Sequence, residues 1–79
     1  MQIEHSQMNG DATSFQTKVD GQVKYETHLD FMTTEWYTIA AGDDSKLLLE
    51  GRLDPSISED QMVEAIKPTI QEAIENGKI

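Results

Sequence analysis

The hydrophobic pattern of the chain changes its period once, at Pro55. Before this proline, apolar and polar residues alternate between turn residues, and after it the apolar residues recur at helical spacing. A period of two places one set of side chains on each face of a sheet, whereas helical spacing gathers apolar residues into one stripe. The sequence therefore predicts a single domain over residues 1–79, with strands over 1–54 and a helix over 57–77.

The strictest alternation runs from Val23 to Phe31. Its odd positions suit a core, and its even positions carry charged or imidazole side chains, namely Lys24, Glu26, His28 and Asp30. A strand of this kind is typical of an antiparallel sheet that is covered on one face only. We therefore expect a core on one side of the sheet and solvent on the other.

The dipeptide Asp20-Gly21 joins this strand to an alternating segment before it. A two-residue loop would pair Phe15 with Glu26 and place the two apolar sets on opposite faces. A three-residue loop, which begins one position earlier and holds its glycine in a left-handed bulge, pairs Phe15 with Tyr25. Because a one-residue slip would bury charges, we expect the bulged loop.

The two ends of the sheet region are less regular. Residues 2–8 are either an edge strand or a frayed end, and Asn9-Gly10 after them favours the strand because it is a strong hairpin signal. Near the other end, a turn over residues 42–45 is expected. A two- or four-residue loop there places Trp36 in the core, whereas a three-residue loop places it on the outer face. We favour the first.

Residues 57–77 fit one amphipathic helix. Ser58 and Gln61 match a capping box at its start, and Asn76-Gly77 matches a left-handed end. Pro68 removes a backbone donor from the interior, so we expect a kink there. The apolar residues fall on one stripe, which comprises Met62, Val63, Ile66, Ile70, Ala73 and Ile74.

A helix that follows a run of strands must bury its stripe against the sheet. The predicted fold is therefore α+β: an antiparallel β-meander of four to five strands with one C-terminal helix, kinked at Pro68, packed on one face. A chain of 79 residues can build only a small core in this way.

Composition excludes several classes of function. The chain has no cysteine, which excludes disulfides, thiolate metal sites and cysteine nucleophiles. Its formal net charge of −9 opposes direct binding of nucleic acid or of anionic membranes, since both require basic side chains. No apolar run could span a bilayer, and the N-terminus lacks a signal-peptide pattern. A cytoplasmic location is therefore expected.

No motif indicates catalysis or a cofactor. His5 and His28 lie on different predicted strands without a metal-ligand spacing, and solvated surface histidine is the simpler interpretation. Residues 42–45 are acidic but lack the alternating ligands of a calcium loop. Because nucleophile, phosphate-loop and dinucleotide motifs are also absent, we expect no enzyme activity, no metal and no cofactor.

The three consecutive leucines at residues 47–49 indicate an interaction surface. At least one of them faces away from the helix in any register, and the strand lies at an edge if strand order follows the chain. The candidate surface comprises Leu48, Tyr37, Ile39 and Glu50. We expect a small acidic protein-interaction module that binds a protein partner or a second copy through the uncovered sheet face or the edge strand.

Two other functions are compatible with this composition. The first is an acidic inhibitor that mimics nucleic acid and occupies a basic site on another protein. The second is a small-molecule-binding or enzymatic domain. An outward apolar patch would favour the interaction module, a concentrated acidic face the mimic, and an enclosed polar pocket the third class.

Overall fold

The computed structural model describes residues 1–79 and contains five strands followed by one helix. These elements are β1 (Ile3–Met8), β2 (Asp11–Val19), β3 (Gln22–Leu29), β4 (Glu35–Ala40), β5 (Asp43–Arg52) and α1 (Glu59–Glu75). The strands form one sheet in the order β1-β2-β3-β4-β5, and every neighbouring pair is antiparallel. The predicted α+β meander is confirmed, and the N-terminal segment is an edge strand.

The core lies between α1 and one face of the sheet, which we call the inner face. Its buried cluster joins three sheet residues to four residues of the helical stripe, namely Phe15, Leu29, Trp36, Met62, Ile66, Ile70 and Ile74. Ile66 and Ile70 are both 0% exposed. Full burial of one such side chain stabilises a fold by roughly 1.5–3 kcal/mol, so α1 and the sheet depend on each other.

Three threonines are also fully buried, namely Thr17, Thr27 and Thr38. The hydroxyls of Thr27 and Thr38 are hydrogen-bonded to each other at 2.8 Å, and that of Thr17 is 2.9 Å from Nδ1 of His5. Because each hydroxyl has a partner, its burial does not leave an unpaired polar group.

The β2–β3 connection differs from the expected three-residue loop. Asp20 and Gly21 both have positive φ angles, 52° and 84°, and form a two-residue turn closed by Val19 and Gln22. The pairing of Phe15 with Tyr25 is therefore wrong, and Phe15 pairs with Thr27. A turn of this kind matches the twist of the strands, and a bulge inside β3 then restores the common apolar face.

The predicted turn over residues 42–45 is also wrong. The turn is Ala41-Gly42, closed by Ala40 and Asp43, and the following residues belong to β5. Two register shifts in β5 then bring Leu49 opposite Thr38, which is the pairing that places Trp36 in the core.

The β1–β2 hairpin likewise has a two-residue turn followed by a register shift. There Met8 pairs with Asp11, and the register shifts before Gln7 pairs with Phe15. In both hairpins the aspartate after the turn glycine accepts hydrogen bonds from the second residue beyond it: Asp11 from Thr13 at 2.8 and 2.6 Å, and Asp43 from Ser45 at 3.2 and 2.6 Å. The unpaired residues that follow the turn in β2 and in β5 are therefore held by a local turn around the aspartate.

The two ends of α1 are formed differently. At the start, Ser58 occupies the cap position, but its hydroxyl makes no capping hydrogen bond, so the expected capping box is wrong. The first turn is exposed, and water can satisfy its backbone N–H groups. At the end, the N–H groups of Gly77 and Lys78 donate to Ile74 and Ala73, with Gly77 at φ 70°. Pro68 lies within the helix, and a kink there stays a prediction.

Candidate protein-binding face

The face of the sheet opposite α1, which we call the outer face, is not covered by any element. Its side chains alternate along each strand with those that enter the core. On β4, Trp36 and Thr38 are buried on the inner face, so Glu35, Tyr37 and Ile39 lie on the outer face. The candidate residues of the sequence therefore converge on the outer face of β4 and β5.

The four candidate residues differ in exposure. Tyr37 is 43% exposed and lies directly opposite Glu50, which is also exposed. Leu48 is half-buried and lies at a register shift of β5. Ile39 is only 4% exposed and forms part of the floor of this face, whereas its cross-strand partner Leu47 is 54% exposed. The accessible apolar surface is thus centred on Tyr37 and the leucines.

Tyr37 belongs to a line of four residues that crosses four strands. Pairing across β2, β3, β4 and β5 places Ser14, His28, Tyr37 and Glu50 side by side. We call these four residues the cross-strand row. The row lies on the uncovered face, where Ser14 is buried, His28 is half-buried, and Tyr37 and Glu50 are exposed.

His28 holds the tyrosine ring of the cross-strand row in place. Its imidazole stacks on Tyr37 with ring centroids 5.2 Å apart and an interplanar angle of 28°. Its Nδ1 is 3.0 Å from the Ser14 hydroxyl, and its Nε2 is 3.8 Å from Oε2 of Glu26. Ser14 in turn donates to Asp11 at 3.3 Å, so the turn in β2 supports the row. One face of the exposed Tyr37 ring is therefore packed against an imidazole that is itself hydrogen-bonded within the row.

The sequence identifies His28 only as a surface histidine and does not include it in the candidate surface. Its even-numbered position in β3 places it correctly on the outer face. Its stacking on Tyr37 depends on the pairing of β3 with β4, which no local motif specifies. The alternation of β3 could have placed His28 on the outer face with the other polar residues. It could not have shown which residue of β4 lies beside His28.

Carboxylates surround the end of the cross-strand row. The row borders an open groove of about 720 Å³, whose charged lining residues include Asp30, Glu35, Glu50 and Arg52. Arg52 is the only arginine or lysine in that lining, and its Nη2 is 3.4 Å from Oε1 of Glu35. Glu50 has no ion pair and no side-chain hydrogen bond. The groove thus offers a free negative charge beside an aromatic ring.

His5 lies on the other side of the sheet, between β1 and α1. Its ring meets Phe15 edge-on at 5.4 Å, and its Nε2 is buried without a hydrogen-bond partner. Burial lowers the pKa of His5, and the nearby Lys67 lowers this pKa further, while Glu64 acts in the opposite direction. His5 is therefore part of the packing of α1 and is not a free surface histidine.

The perturbed aspartates have structural roles. Hydrogen bonds from Thr13, Ser45 and Ser56 lower the pKa values of Asp11, Asp43 and Asp54 respectively. Each of these carboxylates closes a local turn. The structure contains no group of three histidine, cysteine, aspartate or glutamate residues that could hold a metal ion.

Comparison with protein-family models, with curated protein sequences and with solved structures gives no match. The one helix of the fold lacks the length and apolar character needed to cross a bilayer. Function is therefore inferred from the geometry of this chain alone.

Proposed function

We propose that this chain is a small acidic protein-interaction module that binds a protein partner through the outer face of its sheet. The observation that carries the proposal is the exposed ring of Tyr37, which stacks on His28 on a face without any covering element. Tyrosine is enriched at interfaces because it offers a large contact area with one polar atom and loses little entropy when bound. A pre-positioned ring of this kind is suited to be the anchor of an interface.

The surroundings of Tyr37 extend this surface towards the sheet edge. Leu47 is exposed and Leu48 half-buried, and both lie on β5, the last strand of the sheet. One side of an edge strand has unpaired backbone N–H and C=O groups that can pair with an added strand. Apolar side chains of the outer face therefore lie next to the free backbone groups of the β5 edge.

A second copy of the chain is a poorer occupant than a different protein. Each copy carries a net charge of −9, and face-to-face packing would bring the carboxylates of Glu26, Glu35 and Glu50 against those of the other copy. Like charges in close apposition oppose association. We therefore propose a partner whose binding surface is neutral or basic.

Two variants with the same change of charge test this function. Leu48→Lys places a cation on the outer face, and Gln71→Lys places one on the exposed surface of α1. We expect Leu48→Lys to abolish capture of the specific partner from a lysate of the native cells, while Gln71→Lys retains it. Thermal melts check that both variants fold. Undiminished capture by a folded Leu48→Lys variant would contradict the proposal.

A second candidate function rests on the surface of α1. Five acidic residues lie along its exposed positions, namely Glu59, Asp60, Glu64, Glu72 and Glu75. The only basic residue in α1 is Lys67, whose Nζ is 3.1 Å from Oε1 of Glu64. Such a surface is suited to a basic groove that otherwise holds nucleic acid. This function requires the reverse result, in which Gln71→Lys weakens capture and Leu48→Lys does not.

A further inference from the structure

We propose that the Tyr37–Glu50 end of the cross-strand row is a receptor for an arginine side chain presented by the partner protein. This inference rests on the proposed function and names the chemistry of the partner. The guanidinium stacks on the ring of Tyr37 and pairs with the carboxylate of Glu50.

The geometry of the aromatic pair leaves one ring face available. Since His28 stacks nearly parallel to Tyr37 from the β3 side, the opposite face of the tyrosine ring is directed towards β5. The residue opposite Tyr37 on β5 is Glu50. A planar cation entering there meets an aromatic face on one side and a carboxylate on the other, which is a favourable setting for cation–π attraction.

The charges at this position favour a cation from outside the chain. Glu50 is exposed and has no ion pair, while Asp30 and Glu35 add negative charge to the same groove. Arg52, the one cation in the groove lining, is already occupied by Glu35. The free carboxylate of Glu50 is therefore the group that lacks a partner.

Arginine fits this position better than lysine does. Its guanidinium is planar, so it can stack on Tyr37 while its N–H groups donate in a fork to the Glu50 carboxylate. An ammonium group cannot stack in this way. A second copy of the chain offers a single arginine, Arg52, whose Nη2 lies 3.4 Å from Oε1 of its own Glu35.

The inference is tested by NMR titration with three short peptides, acetyl-Gly-Xaa-Gly-amide, in which Xaa is arginine, lysine or citrulline. Citrulline keeps the shape of arginine and removes its charge. At about 150 mM salt, which screens charges beyond about 8 Å, we expect saturable shifts at residues 28, 37 and 50 with arginine, weaker ones with lysine and none with citrulline.

Variants locate the binding site. Tyr37→Leu and Glu50→Gln should each weaken arginine-peptide binding about three- to fivefold, in keeping with the strength of an exposed cation–π or ion pair. The control Glu72→Gln removes the same charge from α1 and should leave binding unchanged. Amide spectra show whether each variant is folded. Because Tyr37→Leu and Glu50→Gln probe the site independently, a fold defect in one of them leaves the other as a test.

Absence of saturable binding, or an equal loss of affinity with Glu72→Gln, overturns the arginine site. Equal affinity for arginine and citrulline peptides also overturns it. If the peptides fail while Leu48→Lys still abolishes partner capture, the outer face is an interface that recognises other chemistry. If Leu48→Lys leaves capture intact as well, the proposed function fails together with this inference.

Discussion

Gly51 is the residue that allows Trp36 to enter the core. The two residues are cross-strand partners on β5 and β4, and the indole lies so close to the glycine that a Cβ atom there would be 2.8 Å from Nε1. Real Cβ atoms do not approach other atoms this closely. Any side chain at position 51 must therefore displace the tryptophan or the strand.

Gly51→Ala should displace the indole and destabilise the fold by about 1–3 kcal/mol, as overpacking does in a well-packed core. Chemical unfolding measures the loss of stability, and emission from the chain's single tryptophan reports its environment. Lys46→Ala, an exposed change on the same strand, should alter stability by less than about 0.5 kcal/mol. An unchanged unfolding midpoint and emission maximum for Gly51→Ala would contradict this account of Trp36.

At the residue scale, the sequence predicted some of these positions and missed others for a common reason. The loop length favoured for the β4–β5 turn correctly placed Trp36 in the core and Tyr37 on the outer face. The contacts of Gly51 with Trp36, and of His28 with Tyr37, join different strands. They depend on register, which a single strand does not encode.

α1 shows which features of an element are fixed locally. Its apolar stripe and its C-terminal glycine follow from residues three or four positions apart, and both were predicted correctly. The two-residue turns at Asp20-Gly21 and Ala41-Gly42 are followed by bulges whose positions were not predicted. A bulge is placed by the need to keep two apolar faces together, which involves residues far apart in the chain.

Ile66→Ala tests the docking of α1. Ile66 is 0% exposed within the core cluster, so its truncation should reduce the free energy of unfolding by about 2–5 kcal/mol. Thr69→Ala, at an exposed position of the same helix, is the control and should change stability little. Equal unfolding midpoints for the two variants would show that the helix does not pack on the sheet through Ile66.

His5 makes the contact between β1 and α1 sensitive to pH. Burial lowers the pKa of His5 in the folded chain, so the unfolded chain binds more protons as the pH falls. Stability is therefore fully present above the ordinary histidine pKa of about 6.5 and is lost progressively below it. The lowered pKa values of Asp11, Asp43 and Asp54 act in a separate, more acidic window, where protonation removes their turn-closing charge.

We expect the unfolding midpoint of the wild-type chain to decrease when the pH is lowered from 7.5 to 5.5. His5→Gln has no imidazole to protonate and can still hydrogen-bond the Thr17 hydroxyl, so its midpoint should change less over the same range. The charged groups of α1 nearest His5 in its titration are Lys67 and Glu64, and Glu72 and Glu75 line the same groove. Parallel pH profiles for the wild type and His5→Gln would exclude His5 as the origin of the effect.

The whole molecule presents two different surfaces. The outer sheet face carries an aromatic ring with a few carboxylates, whereas the exposed side of α1 carries five carboxylates and no aromatic residue. Composition gives the net charge of the chain but not where the acidic residues lie. The acidic residues of α1 are separated from the cross-strand row because α1 packs on the opposite face of the sheet.

The net charge leads to a prediction for nucleic acids. With −9 on 79 residues and no basic cluster in the groove lining, the chain should not bind DNA or RNA at about 150 mM salt. A mobility-shift assay with duplex and single-stranded probes measures this directly. Salt-sensitive binding to either probe would contradict the charge argument and reveal a basic surface formed by Lys18, Lys24 or Lys46.

Site-specific photo-crosslinking tests the central claim most directly. A benzophenone amino acid is introduced at position 37 on the outer face or at position 71 on α1, and each protein is irradiated in a lysate of the native cells. We predict a discrete crosslinked partner from position 37 that an excess of unlabelled wild-type chain competes away, and no such product from position 71. A competable product from position 71 alone would contradict binding through the outer face of the sheet.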